Sequence, residues 1–170
     1  MYYIGIDPGK SGAFAIIDEK ERIIQVELFT SLSVLSPSCL SCNSFTALEK
    51  VHAMPGQGVV SMFTFAENYG AWQGFMQALR MPHILVTPQK WQKTILDFQI
   101  TKEVKPPGET PASGRARLMH NRQALKFGIV EFIKRRLPQS RDLILLKKDY
   151  DKADALCLAL YAKKVHLNEL

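Results

Sequence analysis

Cysteine is scarce in this 170-residue chain. Three thiols, Cys39, Cys42 and Cys157, cannot build the disulfide framework of a small secreted domain, so a reducing compartment is expected. Cys39 and Cys42 form one C-x-x-C, half of a zinc site, and Cys157 alone cannot supply the second pair; the thiols read as buried or idle. Long apolar runs are lacking too. The longest stretch without a charged residue, Leu28 to Leu48, holds six serines and Pro37, which excludes a membrane span. No secretion signal is expected, because Met1-Tyr2-Tyr3 leads straight into a strand with no basic region or cleavage site. The cytoplasm is therefore the expected location, with an organelle matrix as the alternative. An acidic excess is also missing: 22 Lys and Arg face 16 Asp and Glu, a net charge of +6 at pH 7. A basic domain of this size points to a polyanionic partner, nucleic acid before a membrane surface. A basic soluble protein without such a partner has the same composition.

What is present suits one domain over residues 1–170, with 46% hydrophobic residues for a full core. The opening segment, Tyr2-Tyr3-Ile4-Gly5-Ile6-Asp7, reads as a central strand that ends on a carboxylate. The turn Pro8-Gly9 and a second apolar run to Asp18 follow. Residues Arg22 to Phe29 predict a third strand, antiparallel to the second, and Phe45 to Val51 a fourth that carries Glu49. The Ser-rich stretch from Thr30 to Ser44 is expected as a short helix or a crossover loop. From Val59, Met62, Phe65, Tyr69, Trp72, Met76 and Leu79 recur at helical spacing. Phe63, Ala66, Ala71 and Phe75 widen that stripe beyond what a sheet face covers, which suits core packing or a dimer seam.

A short fifth strand, Pro82 to Val86, precedes Thr87-Pro88, a helix start with proline at the first helical position. The helix to Leu96 should bury Trp91 and Ile95. Residues Gln99 to Gly114, with three prolines, predict a mobile loop. Arg115 to Arg136 predicts a helix buried along Leu118, Leu125, Ile129 and Ile133, and Leu143 to Leu146 should approach the sheet. Asp151 to Lys164 predicts the last helix. Between Lys90 and Lys148, fourteen Lys and Arg face five Asp and Glu, so the cationic character lies in the second half. That asymmetry suits a surface that follows phosphates, although a solvated helix face has the same charge.

Four acids sit in apolar surroundings: Asp7 at a strand end, Glu49 within a strand, and Asp151 with Asp154 opening the last helix. The last two are three residues apart and share one helix face. Acids at a helix start are also favoured by the dipole, which alone would explain Asp149 and Asp151, but Asp154 lies deeper. Clustered carboxylates raise each other's pKa unless a cation joins them, and oxygen-only sets suit Mg²⁺ or Mn²⁺. Two such ions roughly 3.5–4 Å apart activate a water and stabilise the leaving oxygen in phosphodiester cleavage.

The series Ile4-Gly5-Ile6-Asp7-Pro8-Gly9, Glu49 and Asp151-Lys152-Ala153-Asp154-Ala155-Leu156 resembles the RuvC-like Holliday-junction resolvases of the RNase H-like superfamily. Glu49-Lys50-Val51-His52-Ala53-Met54-Pro55-Gly56-Gln57-Gly58 and Val86-Thr87-Pro88-Gln89-Lys90-Trp91 are most similar to the phage-type and chloroplast subgroup. The resemblance implies an α/β fold, a five-stranded mixed sheet of order 3-2-1-4-5 flanked by helices. It implies a homodimer that binds four-way junction DNA and nicks two opposing strands during recombination and repair. No membrane and no small-molecule cofactor are involved. Asp7, Glu49, Asp151 and Asp154 would be both catalytic and metal ligands for two Mg²⁺ per site, with Mn²⁺ as a substitute. Asp7 would bridge the two ions.

Base contacts are expected from the loop holding His52, Met54, Gly56, Gln57 and Gly58. Phosphate contacts are expected from Lys90, Lys93, Arg115, Arg117, Lys147 and Lys148. A bacterial RuvC has an aromatic wedge three residues after its strand-four Glu, where this chain has His52. A metal nuclease acting on flaps or RNA–DNA hybrids, or a junction-binding module without catalysis, fits the same residues less fully. An ATPase built on the Asp7-Pro8-Gly9 turn fails on length.

Overall fold

The computed structural model describes residues 1–9, 12–29, 43–50 and 58–169. In chain order these form β1 Tyr2–Asp7, β2 Ala13–Asp18, β3 Ile23–Leu28, β4 Ser44–Glu49, α1 Val59–Ala78, β5 His83–Val86, α2 Pro88–Ile95, α3 Pro111–Arg136 and α4 Tyr150–His166. β1, β2 and β3 make an antiparallel meander, while β4 runs parallel to β1 and β5 parallel to β4. The sheet order is β3-β2-β1-β4-β5, the α/β arrangement expected from the sequence. Among the described residues, no helix is long and apolar enough to cross a membrane.

The strand sequences explain the layering. Ile4, Ile6, Phe14, Ile16 and Leu48 alternate onto one face, where Trp72 and Met76 of α1 cover them. Tyr3, Ala13, Ala15, Ile17 and Ala47 take the other face, under α4 and the buried ends of α2 and α3. Inner strands covered on both sides read as continuous apolar runs, which is why β1 and β2 show little alternation in sequence.

α4 presses closest where β1 has no side chain. A Cβ at Gly5 would lie 2.0 Å from the Ala155 carbonyl oxygen and 2.3 Å from the Ala159 nitrogen. Gly12 is needed for the turn after β1: its N–H donates to the Gly9 carbonyl at 2.9 Å, and a Cβ there would stand 2.2 Å from the Asp7 carbonyl oxygen. At the other end of the molecule, Glu21 holds the β2–β3 turn in a left-handed conformation, φ 60°. Its carboxylate pairs with Arg136 at 2.6 Å and Lys163 at 2.9 Å, which keeps its pKa below the usual range despite partial burial. One residue thus clasps the far ends of α3 and α4.

Several boundaries differ from the sequence expectation. α3 starts at Pro111, inside the segment expected as a mobile loop, because the Thr110 hydroxyl caps the Ser113 N–H at 3.2 Å. The rest of that segment is fastened to α3 by Arg117, whose guanidinium grips Glu109 at 2.6 and 3.1 Å and the Glu103 carbonyl at 3.0 Å. Ile129 and Ile133 are buried as expected, but Leu118 is exposed, because the first half of α3 has little covering it. Of Leu143 to Leu146 only Ile144 is buried, and no strand forms there. Thr87 precedes α2 without a side-chain cap bond. Cys157 is a buried free thiol, whereas Cys39, Cys42 and residues 30–42 lie outside the described residues.

Gly5→Ala is expected to cost at least about 2 kcal/mol of stability, since backbone rather than flexible side chain must yield. Urea denaturation measures this, and a loss well under 1 kcal/mol would show that α4 can shift at little cost.

Candidate metal centre

Parity along the strands sets the site. Tyr3, Gly5 and Asp7 share the α4 face of β1, and Ala47 and Glu49 share it on the parallel neighbour β4. Asp7 and Glu49 are the last residues of their strands, so both carboxylates leave the same face at the same end. α4, held close by Gly5, begins above them with Asp151 in its first turn and Asp154 one turn further. One oxygen each from Asp7, Asp151 and Asp154 lies within 4.8 Å of the other two. Glu49 stands beside this group, its Oε1 accepting a 2.8 Å hydrogen bond from the buried Trp91 indole. Asp149 does other work: it accepts from the Leu146 N–H at 3.0 Å and pairs with Lys152 at 3.0 Å, securing the start of α4.

The groups strain against one another electrostatically. Burial, then the charges of Glu49 and Asp151, push Asp7 up to about 7 against the pull of the Gly9 N–H and Lys126. Burial, then Asp7, hold Asp154 well above the usual carboxylate range. Burial raises Glu49 as well, although the Trp91 hydrogen bond and Lys126 oppose it. Lys126 of α3 supplies positive charge at this spot. Its ammonium donates to Asp151 Oδ1 and lies 3.9 Å from Asp154 Oδ2. Burial alone would lower the pKa of Lys126, but the bond to Asp151 and the nearby charges raise it on balance.

Neither Lys126 nor Trp91 was a sequence candidate for the site. Lys126 had a signal: it stands three, four and seven residues before the buried Ile129, Val130 and Ile133, in register with the inward stripe of α3 although its side chain is 47% exposed. A lysine on an inward stripe needs an acidic partner. Trp91 also had one, since a buried indole N–H seeks an acceptor.

The other expected contacts fall as follows. Gly58 precedes α1 and is exposed, while His52, Met54, Gly56 and Gln57 lie outside the described residues, as does the side chain of Lys148. Lys90, Lys93, Arg115 and Lys147 are exposed. Arg117 is 17% exposed at its side chain, and its guanidinium pairs with Glu109 and donates to the Glu103 carbonyl.

The β3-β2-β1-β4-β5 sheet, with carboxylates at the ends of the neighbouring parallel strands β1 and β4, has the arrangement of the RNase H-like fold. Among solved structures, T. thermophilus RuvC in complex with a Holliday junction substrate superposes with a TM-score of 0.54 over 98% of this chain and 96% of that one, at 14% identity. No protein-family model and no curated protein matches the sequence.

The raised acids give a pH dependence with a definite sign. A carboxyl whose pKa is higher folded than unfolded contributes stability below its unfolded value near 4, and that stability drains as pH rises through about 7. In chelator, the protein is expected to lose on the order of 2 kcal/mol from this site between about pH 5 and pH 8. Asp7→Asn should flatten that slope and raise the melting temperature at the alkaline end. Parallel slopes for the two proteins in thermal melts would remove Asp7 as the source.

Proposed function

We propose that the chain is a divalent-metal-dependent endonuclease that cuts four-way DNA junctions during recombination and repair, akin to the phage-type and chloroplast resolvases. The observation that carries this is the convergence of Asp7, Asp151 and Asp154, with Glu49 beside them, at the sheet end of a RuvC-like fold. The donor set is all oxygen, which suits Mg²⁺, with Mn²⁺ as a substitute. With one oxygen from each of Asp7, Asp151 and Asp154 within 4.8 Å of the other two, the three carboxylates are grouped closely enough to be drawn onto one ion. That Lys126 already sits against two of these acids supports a site built for positive charge.

Asp7, Glu49, Asp151 and Asp154 would hold two ions. Asp7, which feels both Glu49 and Asp151, would be the ligand shared between them. When bound, the ions activate water and stabilise the leaving oxygen of the phosphodiester. The chain's own residues prepare the geometry. The Gly9 N–H fixes one oxygen of Asp7 at 3.0 Å, and Trp91 fixes Glu49. Lys126, once released from Asp151, becomes a cation for the phosphate of the strand being cut. Lys90, Lys93, Arg115, Lys147 and Lys148 follow the flanking phosphates, and the loop of His52, Met54, Gly56, Gln57 and Gly58 meets the bases at the crossover.

Paired nicks in opposing strands require two sites, hence a homodimer. Val59, Val60 and Phe63 at the start of α1 are 77%, 81% and 65% exposed, an apolar surface that a second copy would cover.

Asp7→Asn is expected to bind a synthetic four-way junction within about threefold of wild type and to lose Mg²⁺-dependent nicking by roughly a thousandfold or more. Nicking retained by this variant overturns the assignment. Equal-length flap, RNA–DNA hybrid and linear duplex substrates test the junction preference; faster cleavage of any of them moves the activity to that substrate. Sedimentation should find a dimer at micromolar concentration, weakened by Phe63→Glu, and a wild-type monomer would count against paired nicking.

A further inference from the structure

Beside the carboxylates, between α3 and the start of α4, lies a pocket of about 310 Å³ that the metal chemistry leaves unused. Met119, Phe127 and Tyr150 line it with carbon, and Arg122, Lys126 and Lys147 line it with positive charge. Met119, Arg122, Lys126 and Phe127 stand at helical spacing on one face of α3, and Met119 and Phe127 are 62% and 57% exposed. Large apolar side chains left open among cations are a poor solution for folding and a good one for a planar, anion-bearing ligand. The pocket adjoins the acidic site at two points. Lys126 belongs to both, and Tyr150 immediately precedes Asp151.

We infer that this pocket seats one unstacked nucleobase of the strand being cut, Phe127 and Tyr150 offering the stacking surface and Arg122 and Lys147 holding the adjoining phosphates. The inference rests on the nucleic-acid function proposed above and specifies the substrate: a strand with a base free to leave its stack near the scissile phosphate. Charge complementarity selects the occupant. A purely apolar ligand would leave Arg122 and Lys147 unmatched, and a free phosphate would leave the aromatic wall unused. Base stacking on an aromatic side chain is sequence-tolerant and strengthens binding by about 1–3 kcal/mol per base.

The test compares two single strands of roughly twelve nucleotides, within the site sizes of single-strand binders, one with natural bases and one wholly abasic, so that charge is equal. Binding of the full-length protein is measured in chelator at low salt by fluorescence anisotropy. The natural strand is expected to bind about tenfold more tightly, Phe127→Ala to bring the two within about twofold, and Phe127→Trp to keep the preference. Circular dichroism checks that each variant is folded, which the exposure of Phe127 favours. No base preference in wild type, or an unchanged preference in Phe127→Ala, overturns the pocket. The proposed nuclease fails separately: a protein that shows this preference but never cuts a junction keeps the pocket and loses the junction assignment.

Discussion

The missing side chain at Gly5 is the constraint on which the rest of the molecule depends. It lets the backbone of α4 come against β1 at a distance that no Cβ would allow. The first turn of α4 therefore lies directly above the end of β1, where the chain has placed Asp7. Acids separated by more than 140 residues in sequence become neighbours through a contact that involves none of them. Ala155 and Ala159 complete the approach from the helix side, so the small residues of α4 serve the site as much as the core.

Proximity of this kind is unfavourable in itself. Buried carboxylates that feel one another resist ionisation, and Asp7, Glu49 and Asp154 all do so here. Lys126 of α3 partly neutralises the group. A divalent ion entering the site would compete with an ammonium already in place rather than fill a bare negative cavity. Its affinity would be a difference between two cations.

The strands and the four acids each left a local mark in the sequence: apolar runs of strand length, carboxylates at their ends, and an Asp pair three apart ahead of an apolar helix; the order of the strands came from the family resemblance. What was illegible depended on partners far away in the chain. Lys126 looked like any other lysine in a cationic segment, and only its register with Ile129, Val130 and Ile133 set it apart. Nothing local to Arg117 announces its grip on Glu109 and the Glu103 carbonyl. Pro111 looked like a loop residue, whereas proline is equally at home in the first turn of a helix. The same limit holds between proteins. At 14% identity the fold remains recognisable although most of the sequence differs.

The clasp at Glu21 bears on the opposite end of the molecule. α3 carries Lys126 in its second half and α4 carries the Asp151/Asp154 pair at its start, and Glu21 pins both helices near their C-terminal ends. α4 has 17 residues, about 25 Å at helical rise, so a tilt of about 5° at the clasp would move its first turn by roughly 2 Å. That displacement is enough to take a carboxylate out of coordination range. The tolerance of the acidic site is thus set by leverage from a surface turn, and a loosened hinge there would spoil its alignment without touching a single ligand.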